Sequence, residues 1–287
     1  MIYAYIEAHD EYPVVKWARY FGVSTSGYYK WKRERSNRQA SYRTYGDAVE
    51  QIFGEGRGTY GSERICGVLR QRGHSASFRK VKRIMEERGL RSVHVKKVKP
   101  LTDSRKARGA GYENLLRGRE ITMPLEAVSS DISYIPTGEG FDYLCEIKDI
   151  KTGTVLAVCH RERMTKELVL DTIRAAHKRW ALPEGLIFHS DRGSQYTSKE
   201  VMDLLKELGS QQSFSRVGMP GDNAWSESFF SILKKEVIHP HSFATREQAR
   251  LVIFEYIEVF YNRARVQKRL GWLTPLHSLR LVQPVAA

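Results

Sequence analysis

A mixed α/β sheet of five strands with flanking helices, preceded by small all-helical units, is the fold class that the sequence predicts. Three observations carry it. AVSSDISYI at 127–135 alternates as a strand does, and Gly138-Glu139-Gly140 follows as a hairpin turn. Further on, the helical stretch Lys166–Trp180 precedes the apolar run Leu186-Ile187-Phe188. Upstream of residue 92 the apolar spacing is helical instead.

Residues 1–40 predict a helix-turn-helix unit. Met1–Ala8 is an amphipathic helix, and Pro13 opens a second with Val14, Val15, Ala18 and Phe21 at helical spacing. Phe21-Gly22-Val23 makes a tight turn, and Ser24 offers its hydroxyl as N-cap to a helix through Tyr28, Tyr29 and Trp31. In such units the second helix enters the major groove, which makes Ser24, Thr25, Ser26, Lys30 and Lys32 candidate DNA contacts. Ser36–Tyr45 is polar and basic and reads as a linker.

Residues 41–91 predict a second helical unit. One helix runs over Ser62–Arg72 and stops at Gly73; another, capped by Ser77, carries Val81, Ile84 and Met85 and ends at Gly89. Arg79, Lys80, Lys82 and Arg83 crowd that last helix and point to phosphate contacts. Residues 92–121 form a basic linker poor in large apolar residues. Within 122–240, strands are expected over 127–135, 143–150, 154–159, 186–190 and 211–214, with helices over 166–180 and 198–208. Residues 241–287 hold a helix, Thr245–Tyr261, with Leu251, Phe254, Tyr256, Ile257 and Phe260 at its apolar positions. A tail follows that mixes aromatics with Arg263, Arg265, Lys268 and Arg269 and stops at Pro275.

Charge is segregated along the chain. Residues 1–120 carry a net charge of +13, residues 121–240 a net of −3 and residues 241–287 a net of +4, within an overall +14. Basic ends around a mildly acidic middle suggest two parts that grip a polyanion and one that holds cations. Cys66, Cys145 and Cys159 lack CxxC spacing, which argues against a zinc knuckle or a disulfide framework and fits a reducing, cytosolic setting. No signal peptide opens the chain and no apolar run reaches membrane-spanning length.

Three carboxylates stand out within that acidic middle. Asp131 lies mid-strand, Asp191 follows a buried strand in FHSDRGSQY, and Glu227 sits in the helical stretch DNAWSESFF. Acids on three separate elements suit a two-metal phosphoryl-transfer site, with Asp131 between two Mg²⁺ ions and Asp191 and Glu227 each completing one. Lys234 lies seven residues after Glu227, about 20° off the same helix face, where it would hold a phosphate of the scissile strand. Asp142, Asp149, Asp222 and Glu236 are rival acids, of which Asp222 reads with Asn223 as a helix cap. His189 reads as a hydrogen-bonded strand-end residue, and His239-Pro240-His241 as a loop.

HSDRGSQYTS, SRVGMPGDNAWSESFFSILKKE and YNRARVQKRLGWLTP together resemble DDE-group transposases of bacterial insertion sequences, in particular the second-frame (OrfB) protein of the insertion sequence three family. DISYIPTGEG, GVSTSGYYKWK and TYGSERI add to the resemblance, and thirty-five residues separate Asp191 from Glu227 as in that family's signature. Val128 and Gln267 stand where the family usually has Trp and His.

The resemblance implies a ribonuclease H-like catalytic domain with a catalytic, metal-binding triad at Asp131, Asp191 and Glu227, two Mg²⁺ or Mn²⁺ ions as cofactor, and Lys234 as a contact to the transposon end. Asn223, Arg192 and Arg265 join Lys234 as candidate DNA contacts. Double-stranded DNA, both element ends and target, is the expected partner, with a homodimer or larger assembly on it. The implied reaction cuts a strand at the element end and joins the freed 3′-hydroxyl elsewhere, through a circular intermediate in a copy-out pathway. An upstream-frame partner or fusion, and a bacterial cytosolic location, belong to the same expectation. A related metal nuclease that cuts without joining, and a DNA-binding regulator with merely structural acids, are the alternatives.

Overall fold

The computed structural model describes residues 1–93, 112–216 and 220–282. Strands form where the sequence places them: β1 (Ala127–Thr137), β2 (Gly140–Asp149), β3 (Val155–Arg161), β4 (Ile187–Ser190) and β5 (Gln211–Phe214). Their spatial order is β3-β2-β1-β4-β5; the first three run antiparallel, and β4 and β5 run parallel to β1. Gly140, at φ 100°, lets the β1–β2 connection turn tightly. Two crossover helices, α6 (Lys166–Arg179) and α7 (Lys199–Glu207), bury Leu168, Ile173, Val201 and Leu205 against Val128, Cys145, Ile147 and Phe188 on one face. The opposite face presents Ile135, Leu144 and Val155 to α8 (Ala224–Leu233) and α9 (Arg246–Glu255).

Ahead of the sheet come α1 (Ile2–Ala8), α2 (Val14–Tyr20) and α3 (Thr25–Glu55). Gly22, at φ 64°, makes the turn between α2 and α3, and the Ser24 hydroxyl accepts the Gly27 N–H at 2.9 Å, as the capping pattern predicts. One expectation fails here. Ser36–Tyr45 is not a linker, because α3 continues through it for 31 residues. Residues 32–41 are exposed, so they show no apolar period, but they also contain neither Pro nor Gly. Tyr28 near one end, and Gly46, Val49 and Ile52 near the other, are buried and hold the helix at both sides of that stretch. α4 (Ser62–Gln71) and α5 (Phe78–Glu87) follow, the latter capped by Ser77, and Ile65, Leu69, Val81 and Ile84 fill the space between these helices.

At the other end Thr245 caps α9, which widens into a π-helical turn over Tyr256–Tyr261. Leu251 and Phe254 do not face inward as expected: they are 63% and 58% exposed, and Ala249, Ile253 and Ile257 take the core positions. Pro275 starts a helix, α10 (Pro275–Arg280), rather than ending the ordered tail, in keeping with its preset φ at a first helical position. The tail clasps the second helical unit. Tyr60 donates to the Ala264 carbonyl at 2.9 Å and accepts from the Val266 N–H at 3.0 Å, and the Trp272 ring lies so close over Gly67 that a Cβ there would meet it at 2.2 Å. Of the expected linker, 94–111 lies outside the described residues, and 112–121 forms a short turn that buries Leu116.

Asp142 anchors α9 to β2. Its buried carboxylate accepts from His160 Nδ1 at 2.6 Å and from Arg250 Nη2 at 2.6 Å. Burial alone would raise its pKa, but the hydrogen bonds from His160 and Arg250 outweigh that and hold it below the usual value. A depressed folded pKa means stability that is present above the unfolded pKa, about 3.9, and is lost as pH falls through the folded one. Asp142→Asn should therefore destabilise the chain by about 1.5–3 kcal/mol at pH 7 and flatten the fall in stability below about pH 4. Urea unfolding of both chains across pH 3–7 checks this.

Candidate active site

Alternation along β1 sends Ser129, Asp131, Ser133 and Ile135 to the face covered by α8. Directly across the ladder, Lys148, Glu146 and Leu144 of β2 point the same way. On the other side, β4 pairs His189 with Ser129, and the His189 ring packs edge-on against Trp225 of α8 at 6.1 Å. Asp191 stands two residues beyond His189, just past the strand end, so it continues toward that face. Glu227 occupies the first turn of α8, where a carboxylate is favoured by the helix dipole.

Asp131 senses both of the other acids. Asp131 accepts the Ile132 N–H at 2.8 Å; burial, and then Asp191, Glu146 and Glu227, push its carboxyl up to about 8. Asp191 accepts the Gly193 N–H at 2.9 Å and is raised by burial against that hydrogen bond. Burial also raises Glu227. Lys234, at the end of α8, is lowered by burial and drawn back up by Asp131, and it lies 5.4 Å from the centre of the Tyr134 ring. Asp131 is half-buried, while Asp191 and Glu227 are open to solvent on one side and backed by protein on the other, so the acids line an open surface.

The donor set is all carboxylate oxygen, with a surplus of negative charge that a hard divalent cation would balance. Among the described residues no three carboxylate, imidazole or thiol groups already close into a metal cage. Open carboxylate sites suit Mg²⁺ or Mn²⁺, ions that keep several waters.

The rival acids are committed elsewhere. Asp142 binds His160 and Arg250, and Asp149 accepts from Thr152 and from the Leu125 N–H. Glu236 pairs with Arg265 and accepts from Tyr256. Asp222 does not cap α8: it takes a bidentate pair from Arg216 and a bond from Asn114, and the Arg216 hydrogen bond holds its pKa well below the usual range. His189 is hydrogen-bonded by Ser213 and Ser215, and His239 lies in a turn, both as expected.

Several candidate DNA contacts turn inward. Arg265 is buried in its pair with Glu236 at 2.7 Å, because the π-helical turns after α8 and α9 bring Glu236 and Tyr256 round it. Asn223 is buried and donates to the Ser130 carbonyl at 3.2 Å. Arg192 reaches the carbonyls of Ser215 and Tyr112. In the helical units Ser24, Lys30, Arg79 and Arg83 are exposed and Thr25 half-buried, while Lys80 lies 3.7 Å over the Tyr45 ring. Sequence reasoning passed over Glu146 and Lys148, whose i,i+2 spacing in YLCEIKD was the available signal.

An Integrase core domain family matches residues 121–220, a second Integrase core domain family matches 227–277, and an HTH-like domain family matches 39–98. Transposase InsF for insertion sequence IS3A of Escherichia coli strain K12 is 34% identical over 281 residues, 96% of this chain and 97% of that protein. The chain belongs to the IS3 transposase family. A transposase of insertion sequence element IS904 from Lactococcus lactis is 35% identical over 245 residues, covering 85% of this chain and 96% of that one. Among solved structures, the HTLV-2 integrase catalytic core in complex with magnesium is 12% identical and covers 56% of this chain and 98% of that chain, with a TM-score of 0.42.

The chain is thus a DNA-acting transposase with an integrase core and an HTH-like domain, built on the sheet and helices expected from the resemblance. No described helix is long and apolar enough to cross a membrane. Because Arg265 is an internal prop of the transposase, Arg265→Met should cost about 3–5 kcal/mol of stability, the range for stranding one partner of a buried pair. Adding Glu236→Leu should recover much of that loss. Thermal unfolding checks both, and a gel shift with terminal DNA at 15 °C should show affinity unchanged in the folded double variant.

Proposed function

We propose that Asp131, Asp191 and Glu227 are the catalytic triad of this transposase and hold two Mg²⁺ or Mn²⁺ ions. The observation that carries the reading is the convergence of Asp191 and Glu227 around Asp131 at one end of the sheet. Burial first, and these neighbours second, push the Asp131 carboxyl up to about 8, with Lys234 the cation beside it. Bound ions supply charge neutralisation on the attacking and leaving oxygens of an in-line displacement.

The chain's own groups do the rest. Lys234 holds a phosphate of the scissile strand, and the rigid sheet keeps Asp131 and Asp191 in fixed relation beneath it. Water first breaks a P–O bond at the element end, leaving a 3′-hydroxyl and a 5′-phosphate. That hydroxyl then attacks a second phosphodiester. One P–O bond forms, one breaks, the attacking oxygen's proton goes to solvent, and a 3′-hydroxyl of the cut strand departs. The bond count is conserved, so joining needs no nucleotide cofactor.

Exposed Ser24, Lys30, Arg79 and Arg83 fit the backbone or grooves of the terminal DNA. Joining two ends requires at least a dimer on DNA, and the family membership favours copy-out through a circular intermediate, with or without an upstream-frame partner, in the bacterial cytosol. Asp191→Asn and Glu227→Gln should each abolish end cleavage and joining in a strand-transfer assay with the element's terminal DNA, while gel shifts show DNA binding retained. A pre-cut end with a free 3′-hydroxyl should be joined to a target duplex by the unaltered chain. Full activity in either variant removes the triad, and cutting without joining reduces the protein to a nuclease.

A further inference from the structure

Glu146 and Lys148 take no part in that chemistry, yet they are the charges buried next to it. Glu146 stands opposite Asp131 in the β1–β2 ladder and Lys148 opposite Ser129, both on the α8 face. The Lys148 ammonium donates to the main-chain carbonyl of Trp225, in the first turn of α8 and two residues before Glu227. It also lies 5.6 Å from the centre of the Phe229 ring. Neither oxygen of the Glu146 carboxyl has a hydrogen-bond partner, and Ser226 is the hydroxyl that faces it. On the β1 side, Asn223 donates to the Ser130 carbonyl at 3.2 Å. The start of α8 is therefore tied to β1, which carries Asp131, and to its neighbour β2.

A lysine in this place is unfavourable twice over. Burial strips its water, and the N-terminal turn of a helix is the positive end of the dipole. A Met or Leu would fill the same space without either cost. What an apolar side chain lacks is direction. Phe229, Phe230 and Leu233 hold α8 on the sheet by burial, which sets depth but resists sliding or rolling weakly. A hydrogen bond to one named carbonyl fixes register, and the Glu146 carboxylate offsets part of the cost of burying the ammonium.

We propose that Lys148, balanced by Glu146, is a positioning residue that locks the first turn of α8 to β2 and so sets where Glu227 stands relative to Asp131. The proposal rests on the reading of Asp131, Asp191 and Glu227 given above.

The test uses the full chain in three variants: Glu146→Gln, which keeps the lysine tie; Glu146→Gln with Lys148→Met, which removes both charges together; and Lys148→Arg, which keeps a donor. Mn²⁺ affinity is measured by calorimetry without DNA, alongside thermal unfolding, a gel shift on terminal DNA, and cleavage at saturating Mn²⁺. The double variant should bind Mn²⁺ about 10–100-fold more weakly, the range for groups that orient metal-binding residues, and lose cleavage in proportion, with unfolding temperature and DNA binding unchanged. Glu146→Gln and Lys148→Arg should stay within about threefold of the unaltered chain, well short of that range.

Undiminished Mn²⁺ affinity and cleavage in the folded double variant overturns the proposal and leaves the triad standing. So does an equal loss in Glu146→Gln, which would place the effect on the carboxylate, or a tenfold loss in folded Lys148→Arg. An unaltered chain that neither binds Mn²⁺ nor cuts terminal DNA removes the triad reading, and this proposal with it.

Discussion

Asp131 sits opposite Glu146 across the β1–β2 ladder, and that register decides which side of the sheet carries charge. A slip of one residue would turn Asp131 into the apolar layer beneath α6 and bring Val128 and Ile132 under α8. Two things prevent it. Val128, Cys145 and Ile147 are buried on the far face in one cluster with Leu168, Ile173 and Phe188, and the tight hairpin at Gly140 leaves no slack between the strands. The parallel pairing of β4 then carries the same choice of face to Asp191 through His189. Two acids from distant parts of the chain are thus aimed by backbone hydrogen bonds and by apolar residues that never approach the site.

The helical part belongs to the same mechanical body. α4 and α5 share a buried cluster with Phe229, Tyr256 and Phe260, so the apolar layer under α8 is continuous with the core of the HTH-like domain. Arg57 and Glu255 add a bidentate pair at 2.8 and 2.6 Å, but both are exposed, and such pairs contribute about 0–1 kcal/mol. Tyr60, with two main-chain hydrogen bonds to the tail and a buried ring, does more of the holding. α3, anchored in this unit at one end, carries α1 and α2 at the other. The position of the amino-terminal helices relative to the sheet is set by a single continuous helix rather than by a loop.

What the sequence made legible follows a physical rule. Strand alternation, helix caps and turn glycines are local, so the five strands, the caps at Ser24, Ser77 and Thr245, and the placement of Asp131, Asp191 and Glu227 on strand, strand end and helix could be read directly. Contacts between elements far apart in the chain could not. Arg265 looks like a surface cation in a basic tail; its burial depends on Glu236, which a separate helix delivers. Leu251 and Phe254 have helical spacing but lie on the outer face, because the π-helical turn at Tyr256–Tyr261 and the buried Ala249 and Ile253 fix the helix rotation. The middle of α3 was missed for the opposite reason. A helix exposed all round has no apolar period to betray it.

The same rule explains why Glu146 and Lys148 escaped notice while the triad did not. A motif records residues that touch the reacting groups; it is silent on residues that hold the holders. Yet a carboxyl pushed up to about 8 by burial and by the acids around it is a standing liability to the fold, since buried charge lacks water and charges brought together repel whenever nothing positive lies between them. The chain could have relieved that repulsion by letting α8 roll and carry Glu227 away from Asp131. Burial of Phe229 and Leu233 does not forbid such a roll, because apolar contacts have little directional preference. A directional bond at the first turn of α8 does forbid it, and Lys148 to Trp225 and Asn223 to Ser130 both act there.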